Sequence, residues 1–122
     1  MALLTDADVA EYWRHLRAWQ IKLGLQDWRI VYSPIPAKKA MAEMDKWDWL
    51  QRQVAARVGR DWKSSPINSA TLEQTAVHEL LHVLLYELVQ EAKNPHATED
   101  DLGSKEHRVI NALEQLLVPG GE

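Results

Sequence analysis

The sequence predicts an α+β fold: an N-terminal helix, a small three-stranded and mostly antiparallel sheet, a buried helix and a C-terminal helix. Two patterns carry the prediction. Apolar residues recur at spacings of three and four near both ends of the chain and alternate between them, and the stretch "TAVHELLHVLL" is apolar around almost its whole circumference. A length of 122 residues with 46% apolar content fits a single domain over residues 1–122.

The first helix covers about Thr5 to Leu23. Val9, Tyr12, Trp13, Leu16, Trp19 and Leu23 form its stripe, Thr5 or Asp6 caps it, and Gly24 stops it. In "DWRIVYSP", Trp28, Ile30 and Tyr32 alternate with Arg29, Val31 and Ser33 until Pro34 ends the strand. Ala40, Ala42 and Met44 in "AMAEMDKWDW" and Val54, Ala56 and Val58 in "RQVAARVGR" alternate in the same way. Two further strands joined near Asp48 to Gln51 complete a meander. After the loop "DWKSSPINSA", Thr71 caps a helix that runs to about Glu91, with Gln74 completing the capping pattern. A polar loop, "EAKNPHATEDDLGS", leads to a last helix that begins between Asp100 and Ser104 and ends before Pro119. Its inner face is expected to carry Leu102, Val109, Ile110, Leu113, Leu116 and Leu117.

Composition removes several classes of function. The chain has no cysteine, which excludes thiol nucleophiles, Cys-based zinc sites and disulfides. Its net charge is -4 and its Lys and Arg residues are scattered, which argues against a nucleic-acid partner. "MALLTDADVAEYW" lacks the basic start of a secretory signal, and no apolar run reaches the ~18 residues of a membrane span. The expectation is a soluble, cytoplasmic protein with no membrane partner. Six Trp, three Tyr and no Phe supply bulk to a small core, with the indole N–H groups finding partners at its edges.

One constellation carries chemistry. His78 and His82 are four residues apart, so on a helix they project from one face a turn apart and can aim at a common point. Glu79 lies about 100° further round and flanks that point. This is the H-E-x-x-H arrangement, in which two imidazoles hold zinc and the glutamate acts as general base toward an activated water. Histidine and glutamate are costly in a buried helix unless something pairs with them, and a cation supplies the partner. A catalytic zinc needs a third protein ligand. The downstream candidates are His96, Glu99, Asp100, Asp101, Glu106 and His107. Glu106 falls in the middle of the apolar stripe of the last helix, where an unpaired carboxylate is expensive, so it is the first choice. An ion pair with Arg52 or Arg57 is the competing explanation for Glu106, and His107 is the replacement ligand.

"TAVHELLHVLL" followed by "SKEHRVINALEQLL" resembles the small gluzincin-type metallopeptidases, in particular the minimal zincin-like domains found in phage and bacterial genomes. The resemblance implies a hydrolase with Zn2+ held by His78, His82 and Glu106 and with Glu79 as the base. It also implies a peptide or protein substrate whose backbone adds to an exposed edge strand, for which "RQVAARVGR" is the candidate. Tyr32, Tyr86, His96 and Arg108 are the candidates for steadying an oxyanion. The domain has no second lobe to complete a cleft, which suggests an activating protein partner. The alternative is a metal-stabilised binding or regulatory module without turnover.

Overall fold

The computed structural model describes residues 3–118. The observed order is α1 (Asp6–Lys22), β1 (Arg29–Tyr32), β2 (Ala42–Asp48), β3 (Gln53–Val58), α2 (Ser69–Lys93) and α3 (Glu99–Leu117), an α+β arrangement. Each helix starts at a reciprocal cap. Thr5 and Asp8 exchange side-chain and backbone hydrogen bonds at α1, Thr98 and Asp101 at α3, and Asn68 and Thr71 at α2. α2 therefore begins ahead of the expected cap at Thr71, because the Asn68 side chain satisfies the Thr71 N–H at 3.0 Å. At the other end of α1, Gly24 takes φ +68°, a left-handed conformation suited to ending a helix.

The sheet is mixed, which corrects the expected meander. β3 pairs antiparallel with β2 and parallel with β1, giving the order β1-β3-β2. "RQVAARVGR", expected at an edge, is thus the central strand. The physical reason lies in burial: Val54, Ala56 and Val58 are all buried, and a strand with so complete an inner face is best shielded between two neighbours. The four-residue β1 and the irregular β2 suit the edges; β2 loses register between Asp45 and Asp48, where Lys46 takes φ +53°.

The core joins Tyr12 and Leu16 of α1 to Trp28, to Val54 and Ala56 of β3, and to Leu72, Ala76, Leu80 and Val83 of α2. Trp62 is buried and donates its indole N–H to the Gly59 carbonyl at 3.0 Å, and Trp19 donates to Glu73 at 2.8 Å. Trp28 departs from this pattern, since its buried N–H has no partner among the described residues. Among the described residues no helix is long and apolar enough to cross a membrane.

α3 differs from expectation in its rotation. No residue of α3 is buried; Val109, Ala112 and Leu116 pack against the core, whereas Ile110, Leu113 and Leu117 are exposed. The cause is Glu87 of α2, only 4% exposed, which receives Arg108 at 2.7 Å, Arg52 at 2.8 Å and Lys105 at 3.4 Å. Arg108 also reaches Asp27 at 2.8 Å. Drawing Lys105 and Arg108 inward turns the stripe around Glu106 toward solvent, so Glu106 is exposed rather than buried. The pairings suggested for it are taken elsewhere: Arg52 binds Asp27 and Glu87, and Arg57 binds Asp45.

A buried carboxylate satisfying three cations is costly to remove, because Lys105 is left without its counter-charge and Arg52 and Arg108 keep only Asp27. Glu87→Ala is expected to destabilise the fold by about 2–4 kcal/mol, while Glu106→Ala in the metal-free protein stays within about 0.5 kcal/mol of wild type, both read by urea denaturation.

Candidate metal centre

α2 is covered on several sides, and its chemistry sits where the cover ends. Leu72, Ala76, Leu80 and Val83 turn to the core, while His78, His82, Leu85 and Val89 lie along one exposed strip, as a period of 3.6 residues requires. Glu79 stands at the border between these faces. It is 7% exposed, and its carboxylate and the imidazoles of His78 and His82 offer ligand atoms that all lie within 4.8 Å of one another. The two rings meet edge to face with centroids 5.1 Å apart. Sequence reasoning placed the histidines in an apolar interior. The structure instead buries only the glutamate and leaves the imidazoles open, the arrangement a site needs if a substrate is to reach it.

The donor set fits a divalent cation. Two imidazole nitrogens are ligand types that zinc takes, His78 and His82 offer them from consecutive turns, and the Glu79 carboxylate lies within 4.8 Å of both. Among the described residues Glu106 is not part of this group, and neither are His96, Glu99, Asp100, Asp101 or His107. His107 hydrogen-bonds through Nδ1 to the Gly103 carbonyl at 2.8 Å on its own helix, and His96 is exposed in the α2–α3 connection.

Electrostatics set Glu79 apart. Burial raises its pKa, the nearby His82 and His78 lower it, and the Glu43 charge on β2 raises it, with a net upward shift. Below it in the core, the Tyr12 phenol is pushed up by burial, with the Glu79 charge adding to the effect. Among the residues considered for oxyanion binding, Arg108 is engaged by Asp27 and Glu87, and Tyr32 lies on β1 stacked on Trp13 at 4.7 Å. Tyr86 stands one turn beyond His82 and stacks on Trp47 of β2 at 4.2 Å.

Beside His78 and Glu79 opens a cleft of about 510 Å³, walled by Met41, Ala42, Trp62, Gln74 and Thr75. Sequence analysis gave Gln74 a capping role and Ala42 a place in a strand, and assigned none of the five to the site. Gln74 and Thr75 precede His78 by four and three residues, so helical spacing alone places them on the adjoining turn. Met41 and Trp62 arrive through tertiary folding and left no local signal.

Two predictions follow from the geometry. His78→Ala and His82→Ala should each weaken zinc binding by at least about tenfold in a competitive chelator titration, without unfolding the protein. Glu79→Gln should raise the melting temperature of the metal-free protein at neutral pH. The unfolded carboxyl titrates at the usual 4.5 and the folded one above it, so the native state holds its proton longer and loses stability as pH rises through that window. The advantage of Glu79→Gln should shrink as pH falls toward about 4, where both states are protonated. No protein-family model, curated protein or solved structure matches the chain.

Proposed function

We propose that this chain is a zinc-dependent metallopeptidase of the gluzincin type, in which His78 and His82 hold the metal and Glu79 is the general base. The observation that carries the reading is a buried carboxylate close to two solvent-open imidazoles on one helix, at the mouth of a cleft. A structural zinc would normally have all its positions filled by protein ligands, whereas these imidazoles face open space. Zinc held there would polarise a carbonyl and lower the pKa of water toward about 7.

The chain's own residues supply the rest. Glu79 accepts the proton of the attacking water and returns it to the leaving amine, and its raised pKa brings it nearer the operating pH, where a base works best. Glu106, expected as the third ligand, lies on the exposed side of α3, about 160° round the helix from Arg108, which reaches Glu87 of α2. Among the described residues it stays outside the His78–Glu79–His82 group, so this reading leaves the positions beyond the two imidazoles to water. The outer edge of β2, free of any strand partner among the described residues and bordering the cleft at Ala42, is the place for a substrate backbone to add, in the role first expected of the central strand.

Glu79→Gln tests the assignment. The variant should keep zinc affinity within about threefold of wild type and lose peptide cleavage by about 10²–10⁴-fold, measured on a fluorogenic peptide library. Equal cleavage by both proteins would remove Glu79 from its role as the base.

A further inference from the structure

The cleft beside His78 does not end at its apolar wall. A second cleft of about 680 Å³ adjoins it, and the two share Ala40, Met41, Trp62 and Ser65. The first is lined almost entirely by uncharged groups, Glu79 being the exception. The second carries Lys38, Lys39 and Lys63 against a single acid, Asp61. All three lysines are exposed, and among the described residues none has an ion-pair partner. Asp61 is partly occupied, since it accepts the Lys63 backbone N–H at 2.8 Å. That bond holds Lys63 at φ +54°, a left-handed conformation uncommon for a residue with a side chain.

The contrast with the rest of the molecule is informative. The chain carries a net charge of -4, yet this corner gathers three free cations beside one acid. Its walls are also firm. Trp62 is buried and anchored to Gly59, and Gly59 lies so close beneath the opposite wall that a Cβ there would stand 2.5 Å from the Ala40 carbonyl oxygen. A fixed path thus leads from the catalytic carboxylate through an apolar slot to a cationic mouth.

We infer that this double cleft selects the substrate: a peptide with an uncharged, apolar side chain beside the cut and a carboxylate, from Asp, Glu or a chain terminus, a few residues along. The apolar side chain fills the slot between Met41 and Gln74, and the carboxylate meets Lys38, Lys39 and Lys63. This specificity rests on the proposed peptidase reading for its chemistry, although the cleft can be tested by binding alone.

The test uses labelled peptides that differ at two places, Leu or Lys beside the cut and Asp or Lys at each of the following positions. Their binding to zinc-loaded Glu79→Gln protein is read by fluorescence anisotropy, and their cleavage by zinc-loaded wild type by chromatography. Peptides with Leu and Asp should bind about fivefold more tightly than those with Leu and Lys at low salt, and the gap should close at about 0.5 M salt. Replacing Lys38, Lys39 and Lys63 by Ser should abolish the preference for Asp. Gln74→Trp, at an exposed helical position, should fill the slot and weaken binding of Leu peptides about tenfold; circular dichroism checks that each variant is folded. Equal binding of all peptides, or a preference unchanged in the folded variants, overturns the inference. A preference seen in binding with no cleavage of any peptide supports the cleft and removes the peptidase reading. Cleavage without preference does the reverse.

Discussion

A carboxylate held out of water beside two imidazoles that remain in it is the constraint on which the rest of this structure turns. Glu79 can occupy that border because α2 is covered by the core along Leu72, Ala76, Leu80 and Val83 and uncovered along His78 and His82. A helix exposed all round would leave the glutamate solvated, without the burial that raises its pKa. A helix covered all round would close the imidazoles to solvent. The fold holds the intermediate position by placing the edge strand β2 next to the site and by turning α3 through the Glu87 cluster.

That border has a cost. Burial disfavours the charged form of Glu79, so the group proposed as the base also subtracts from stability at neutral pH. The fold offsets it with features remote from the chemistry: reciprocal caps on all three helices, a core of large side chains, and a carboxylate at Glu87 that binds three cations where Glu79 has none. The two glutamates are eight residues apart on one helix and have opposite roles. One has its charge matched by three cations of the protein, and the other has its charge disfavoured by burial.

Much of this was legible in the sequence, because much of it is local. The 3.6-residue stripes gave the three helices, alternation gave the three strands, and the spacing of His78, Glu79 and His82 gave the chemical group. What failed was long-range. Strand order depends on which strands can pair across a nine-residue connection, and alternation in β1 and β3 carries no information on their relative direction. The burial assigned to Glu106 followed from an apolar stripe of which half, Ile110, Leu113 and Leu117, proved to be exposed, because Lys105 and Arg108 are held by a buried acid on another helix. Glu87 occupies the same core-facing positions as Leu80 and Val83, so the pattern contained that acid. Its three partners come from distant parts of the chain and could not be read from it.

The most direct measurement of the central claim is the zinc K-edge absorption spectrum of the purified, metal-loaded protein. The account requires two imidazole nitrogens and oxygen donors around the ion at about 2.0–2.2 Å, with the imidazole signal falling by half in His82→Ala. A shell without imidazole, or one unchanged by that substitution, would contradict it.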